Sequence, residues 1–510
     1  MITMENKQRV KTIAVIFIIA IVLISLITEF LYIFNNKYTY SKLQPEKGVL
    51  TLSQEEIDSN SFHFLIKDWE FYEDALLTPT YFKNQTSLPN MKYVSIGDTE
   101  SAYTSQTKNN TFIGTYRMKI NFPEKEGFYA LEMPQVYSAY ELYINDKLYL
   151  KVGDTHNYKA QIQNRCTFFA ASGETYITIA VKDASGIKAG ITSPPTLGKP
   201  YSINITRAFK FLINNFIMTL IFFGALFSLI LAISGKSNYS YMFFFMCLIY
   251  AVYLNHPLIN LCFSMGGNFS YVFEYFCTHF VYLMVIMLQN RLCNLNKNVS
   301  SISEICGSVF CAIAFVYGVF TPYLSAPLCT FLSTLCNVFE WLAAIYLVAI
   351  GTYAVFNDIK YGRIFLFGNV CFAVSLLLYI IQPLYDSIYT DQSVEIGILT
   401  ILGCLYFVYW ASIIDNYRRN IVLDDERRLM ERQINLYKEN YVHITEQIEE
   451  TRKLRHDMRQ HFRVISDFAN NRQFDKIAEY LEEYSSETND TVPLFFCENL
   501  TLNALLHFYV

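Results

Sequence analysis

The chain has 510 residues, 53% of them hydrophobic in type and only 17% charged, with a formal net charge of -5. Soluble domains carry about a quarter charged residues, so the deficit points to membrane spans, with length left over for two or three further domains. The acidic balance excludes the basic footprint of a nucleic-acid-binding protein, so no nucleic-acid partner is expected.

The first apolar run is Ile13 to Phe34, broken only by Glu29 and preceded by Lys7, Arg9 and Lys11. About 20 apolar residues cross a bilayer as a helix. A signal peptide shares the basic start, but its core is shorter and ends in small residues. Tyr32-Ile33-Phe34-Asn35-Asn36 is a poor cleavage site. The run is read as an uncleaved anchor over 13–34, with a signal peptide as the alternative and 1–12 as a cytoplasmic N-terminus.

Residues 35–206 alternate in short runs, as in Tyr116-Arg117-Met118-Lys119-Ile120-Asn121-Phe122 and Thr175-Tyr176-Ile177-Thr178-Ile179-Ala180-Val181. Turn signals at Asn145-Asp146, Gly153-Asp154, Ser185-Gly186 and Pro194-Pro195 separate them. Short strands with turns between them predict an all-β sandwich or jelly roll. Trp69, Tyr116, Tyr137 and Tyr143 are candidates for stacking a sugar, with aromatic core packing the commoner use of each.

From residue 207 to 414 long apolar stretches predict seven spans, at about 211–233, 239–258, 269–290, 302–320, 327–355, 363–384 and 393–414. Lys236, then Arg291 and Lys297, then Lys360 and Arg363, then Arg418 and Arg419 mark alternate ends, whereas 321–327 and 385–392 hold no Lys or Arg. Positive charge marks the cytoplasmic side. The N-terminus and the tail are therefore expected inside and residues 35–206 outside. Ten of the twelve cysteines fall between Cys247 and Cys404, in the apolar block, where they read as small packing residues. Glu274, His279 and Glu340 lie within spans. Ionisable groups there are costly and often functional, so the three are candidates for intramembrane signalling, against plain packing.

Beyond Trp410 the chain turns charged and helical. Ile434, Tyr441 and Ile448 at a, with Met430, Tyr437, Ile444 and Thr451 at d, form a heptad seam over a coiled coil at 415–453. The seam is interrupted at Arg455, and in the same register His456 occupies b, a solvent-facing position. After a break at Asn470-Asn471-Arg472, Phe474, Ile477, Leu481 and Tyr484 mark a second helix, so 454–490 reads as a hairpin. Two such hairpins pack as a four-helix bundle, which implies a homodimer.

Arg455-His456-Asp457 has the residue types for a phosphoacceptor. A neutral imidazole attacks a γ-phosphate, a carboxylate holds its tautomer, and a guanidinium steadies the phosphate. His461 is a secondary candidate. No metal site is assigned.

Leu454-Arg455-His456-Asp457-Met458-Arg459-Gln460-His461-Phe462, with Glu479-Tyr480-Leu481, resembles the phosphoacceptor hairpin of peptide-sensing bacterial histidine kinases of the GHKL class. Cys497-Glu498-Asn499-Leu500-Thr501-Leu502-Asn503-Ala504-Leu505-Leu506 is similar to the segment opening their ATP-binding domain, so 491–510 reads as the start of a truncated one. The rest resembles bacterial seven-transmembrane receptors with diverse intracellular signalling modules, which carry an extracellular jelly roll similar to sugar-binding modules. The resemblance rests on Trp69-Glu70-Phe71-Tyr72, Gly114-Thr115-Tyr116-Arg117, the run from Tyr137-Ser138-Ala139-Tyr140 through Asn145-Asp146-Lys147, and Leu197-Gly198-Lys199-Pro200.

The resemblance implies a bacterial plasma-membrane sensor histidine kinase of a two-component system, relaying a small, carbohydrate-like extracellular ligand to a cytoplasmic response regulator. ATP and Mg would be used by a catalytic domain that needs an asparagine helix and two glycine motifs. The last glycine is Gly403, inside a span, so no ATP-binding residue is assigned here and no cofactor is expected to be bound by these residues. The alternative is a non-catalytic receptor, or a phosphotransfer or heterodimerising regulator without kinase activity.

Overall fold

The computed structural model describes residues 2–487 except 41–42, 60–61, 85–89, 98–111, 185–188, 234–238, 257–258, 260–269, 271–272, 325, 383 and 390–393. The closing run Cys497–Leu506 and the turn at Ser185-Gly186 lie outside the described residues. The chain divides into two compact units, Met1–Ile413 and Ile414–Val510.

The first unit opens with helix α1 (Ile2–Phe34) and then builds a two-sheet β domain. Its strands are β1 (Val49–Thr51), β2 (Phe62–Phe64), β3 (Trp69–Glu73), β4 (Met91–Val94), β5 (Phe112–Asn121), β6 (Gly127–Met133), β7 (Ala139–Ile144), β8 (Lys147–Val152), β9 (Arg165–Ala171), β10 (Glu174–Asp183) and β11 (Thr196–Gly198). The smaller sheet runs β2-β11-β6-β9, and the larger runs β4-β3-β5-β10-β7-β8, with β1 parallel to the end of β5. Leaving aside β1 and the β3–β4 pair, eight strands remain. One sheet takes the first, eighth, third and sixth, and the other takes the second, seventh, fourth and fifth. That alternation between sheets is the strand order of a jelly roll.

The alternating runs are β5 and β10, paired in register from Asn121–Glu174 to Phe112–Asp183. Their inward residues, Tyr116, Met118, Ile120, Ile177, Ile179 and Val181, meet Tyr129, Leu131, Phe169 and Leu197 of the smaller sheet in one core. Period-2 patterning produces this because successive side chains leave a strand on opposite faces. Gly114 carries no side chain because the Phe71 ring covers it; a Cβ there would lie 2.4 Å from that ring. Thr115 pins the loop after β3, accepting from the Leu77 amide at 2.9 Å and donating to the Ala75 carbonyl at 2.7 Å.

The helical part comprises α2 (Pro200–Ile233), α3 (Ser240–Leu254), a π-helical turn (Phe273–Cys277) leading into α4 (Thr278–Leu292), α5 (Lys297–Phe320), α6 (Ala326–Phe356), α7 (Gly362–Ile381) and α8 (Val394–Asn470). Among the described residues six helices are long and apolar enough to cross a membrane: α1, α2, α5, α6, α7 and the first part of α8. The expected spans at 239–258 and 269–290 correspond to the 15-residue α3 and to the π turn with the 15-residue α4. Parts of both lie outside the described residues; among the described residues, five of the seven expected positions after α1 hold a helix long and apolar enough to cross a membrane.

Two helices end on the same device. Asn294 and Asp358 adopt positive φ, at 48° and 49°. The next amide in each case, Leu295 or Ile359, reaches back five residues to the Asn290 or Ala354 carbonyl. This is a Schellman termination with a non-glycine residue in the left-handed position.

The β domain meets the helices through Arg207 of α2, which pairs with Glu132 of β6 at 3.4 Å, and through two apolar clusters. Tyr137 and Ile162, from the loops after β6 and β8, share an apolar cluster with Ala314, Tyr317, Cys329 and Cys336. Phe62, Phe64 and Ile66 cluster with Ile388, in the connection between α7 and α8. That connection also holds the C-terminal end of α1: Asn36 Nδ2 donates to the Leu384 carbonyl at 3.1 Å, and Lys37 pairs with Asp386 at 2.8 Å. At the other end of α1, Arg9 bonds the Asp358 carboxylate and the Phe356 carbonyl in the α6–α7 connection.

The second unit contains the remainder of α8 and α9 (Phe474–Glu487). The expected break is a third Schellman termination: Arg472 takes φ 59°, and the Gln473 amide reaches the Phe468 carbonyl at 3.0 Å.

Candidate functional site

His456 lies within α8, and its side chain is 69% exposed. Its Nδ1 lies 3.3 Å from Asp457 Oδ1. Arg455 is exposed beside it. The three side chains follow one another on a helix surface, so Asp457 can accept the imidazole Nδ1–H and leave the other ring nitrogen as the nucleophile. The helix supplies position and accessibility.

His461 has a different environment. Its Nδ1 is 2.6 Å from the Tyr480 hydroxyl, and its ring packs 4.3 Å from that of Tyr484. The Tyr484 hydroxyl donates to Met458 Sδ at 3.6 Å. His461 thus closes the hairpin between α8 and α9. In α9 the half-buried residues are Ile477, Tyr480 and Tyr484, while Phe474 and Leu481 of the expected stripe are exposed. Leu454, Met458 and Phe462 are exposed too, as are Met430, Ile434, Tyr437, Tyr441, Ile444 and Ile448 of the seam.

The intramembrane candidates are partly brought together. Glu274 sits in the π turn and accepts a hydrogen bond from the Tyr137 hydroxyl at 2.9 Å, which ties the β domain to the helices. His279, buried, bonds the Tyr275 carbonyl at 2.8 Å and stacks on Phe339 at 5.5 Å. Glu340 follows Phe339 in α6 and is half-buried. His279 therefore contacts the ring next to Glu340, and Glu274 faces the β domain instead.

The four aromatic candidates divide. Trp69 and Tyr116 are core residues, with the Trp69 indole donating to the Leu65 carbonyl at 3.0 Å. Tyr137 is committed to Glu274. Tyr143 lies on the outer face of the larger sheet, where its hydroxyl donates to Glu141 at 2.7 Å. Thr155 and Lys151 also reach Glu141, at 3.1 and 3.0 Å. Burial opposes the Glu141 charge, but these hydrogen bonds outweigh it and hold the carboxyl below its usual range.

Sequence reasoning missed a buried amide pair. Gln289 of α4 and Asn369 of α7 exchange two hydrogen bonds, at 2.7 and 2.8 Å, and Asn369 also donates to the Leu347 carbonyl of α6 at 2.6 Å. Beside it, the Tyr346 hydroxyl donates to Asn290 at 2.9 Å and lies 2.9 Å from Ser303. Part of the signal was available: Asn369 is a polar residue inside an apolar run, and Gln289 and Asn290 close another.

No family model matches the chain, and no curated protein matches it. Solved structures overlap it partially. A GH2 beta-galacturonidase from Eisenbergiella tayi shares 11% identity over 27% of this chain, with a TM-score of 0.19. A Faecalibacterium prausnitzii beta-glucuronidase shares 13% over 28%, also at 0.19. A Kluyveromyces marxianus beta-glucosidase shares 15% over 29%, again at 0.19. This chain spans 24%, 31% and 18% of those three chains. Overlaps of this extent and score carry no argument about activity or ligand.

Proposed function

We propose that this protein is a membrane receptor of two-component signal transduction, in which His456 accepts a phosphoryl group and passes it to an aspartate of a response regulator. The observation that carries the reading is the exposed His456 with Asp457 at its Nδ1, on a helix whose first part is apolar enough to span a membrane. The reaction forms an N–P bond on the imidazole as the bond from the γ-phosphorus to the ADP oxygen breaks. Asp457 takes the ring Nδ1–H as a hydrogen bond, which fixes the Nδ1–H tautomer, and accepts that proton as the N–P bond forms. Arg455 offers a guanidinium to the phosphate. ATP and Mg belong to a catalytic domain of the histidine-kinase class acting on this surface.

In this reading the jelly roll is extracellular, seven spans follow the anchor in a bacterial plasma membrane, and the tail is cytoplasmic and dimeric. Sidedness within the first unit supports it. Arg9 meets the Asp358 connection near Lys360 and Arg363, while the connection at 384–389, without Lys or Arg, meets the β domain.

The full chain in nanodiscs, incubated with radiolabelled ATP and a separately supplied GHKL-class catalytic domain, should acquire an acid-labile label. His456→Ala should abolish it and His461→Ala should retain it. A label that survives His456→Ala, or no label from a catalytic domain that phosphorylates its own hairpin, would refute the proposal.

A further inference from the structure

The end of the helices that carries Arg9 also carries a cavity of about 540 Å³. It lies between the first turns of α1, the C-terminal end of α6 and the start of α7. The Asp358 and Tyr361 backbones shape its wall through two left-handed conformations, at φ 49° and 67°, which fold the connection back tightly enough to leave a recess. Arg9 and Arg363 line it, together with Gln8, Thr12 and Tyr361. Asp358 is the one carboxylate in the lining, and it is engaged by Arg9. Arg363 is exposed and makes no ion pair among the described residues. Lys7 and Lys11 flank the α1 side, and Lys360 flanks the α7 side.

Two guanidinium groups around one recess, with a single carboxylate opposing them, select an oxyanion. Guanidinium is the side chain whose fork matches a phosphate. The floor is apolar, from Val355, Ile359 and Ile364, which a free inorganic ion would not use. The position adds a further constraint. Helices long and apolar enough to span a bilayer end here, so the recess opens at headgroup level. A basic pocket between spanning helices is where an anionic headgroup collects, with its phosphate on the cations and its glycerol and first methylenes on the apolar floor.

We propose that this recess binds the phosphate of an anionic phospholipid, of the phosphatidylglycerol or cardiolipin type. The bound lipid would bridge α1 to the α6–α7 connection and reinforce the Arg9–Asp358 contact, which by itself is one pair between a half-buried guanidinium and an exposed carboxylate. The site is separate from His456 and does not depend on the proposed phosphotransfer.

The full chain, purified in detergent, is titrated with phosphatidylglycerol or cardiolipin and with phosphatidylcholine, and lipid retention is read by native mass spectrometry. Wild type should retain the anionic lipids preferentially. Arg363→Gln should weaken that retention about fivefold, the effect of one cation near a membrane surface, with melting in phosphatidylcholine unchanged. Lys297→Gln, a basic residue at another helix start, should leave retention as in wild type. Equal losses in the two variants would overturn the proposal, because they would report general surface charge. Displacement of the lipid by millimolar inorganic phosphate or glycerol phosphate would assign the recess to a soluble phosphate ester and overturn the lipid assignment.

Discussion

Asn369→Leu tests whether the buried amide pair holds the helices in place. Asn369 and Gln289 are each 0% exposed and share two hydrogen bonds, with a third from Asn369 to Leu347. Leucine keeps the approximate volume but removes both amide partners of Gln289, whose carboxamide then stays buried with a donor and an acceptor unmade. An unsatisfied buried polar group costs about 1–3 kcal/mol. Side-chain hydrogen bonds between membrane helices average about 0.6 kcal/mol and reach about 1.7. Asn369→Leu should therefore destabilise by roughly 2 kcal/mol, and Gln289→Leu by a similar amount. The double variant has no orphaned amide, so it should cost less than the sum, with a coupling of about 1–2 kcal/mol between the sites. Reversible unfolding in mixed detergent micelles, followed by circular dichroism, gives all three values. Additivity within about 0.5 kcal/mol would refute the reasoning, because residues that do not interact add to that accuracy.

Arg472→Gly should stabilise the hairpin by about 1 kcal/mol, since an L side chain at positive φ costs about 1–2 and glycine pays little of it; an unchanged or lower melting temperature of the tail would count against the left-handed Arg472. Tyr137→Phe removes the hydrogen bond to Glu274 while keeping the ring in its apolar cluster. Amide exchange of the π turn should accelerate, corresponding to a loss of about 1–2 kcal/mol, and unchanged exchange there would show that the contact bears no strain between the β domain and the helices. Burial lowers the pKa of His63 in β2, with the nearby Glu56 charge opposing. A lowered folded-state value means that the unfolded chain takes up the proton first. Stability is therefore present above about pH 6.5 and is lost as pH falls from there through the folded value. His63→Gln should flatten the melting temperature between about pH 7 and 5; an equally steep fall in the variant would locate the acid sensitivity elsewhere.

Much of the architecture was legible because it depends on pattern. Alternation in 116–122 and 175–181 gave two strands that pair with each other, and the burial of their inward faces follows from the two-residue period. The Ile13–Phe34 run is a helix because a chain crossing hydrocarbon must satisfy its backbone internally. The break at Asn470-Asn471-Arg472 followed from its polar residues. What was not legible is contact between distant segments. Tyr137 read as a possible sugar platform, yet its hydroxyl meets a carboxylate 137 positions away. Leu481 read as a hairpin packing residue, yet Tyr480 takes that place against His461, because the angle of α9 on α8 selects which neighbouring residue turns inward.

By itself, then, the sequence determined the kinds of element and their order: an apolar N-terminal helix, a β domain, a block of apolar helices, and a charged helical tail bearing His456. These depend on local composition and periodicity, which each short segment carries alone. The tertiary structure decided the partners. The jelly-roll strand order, the Gln289–Asn369 clasp, the attachment of Tyr137 to Glu274 and the recess between Arg9 and Arg363 all join residues far apart in the chain. Which polar groups meet is set by how helices and sheets pack, and no local periodicity encodes that choice.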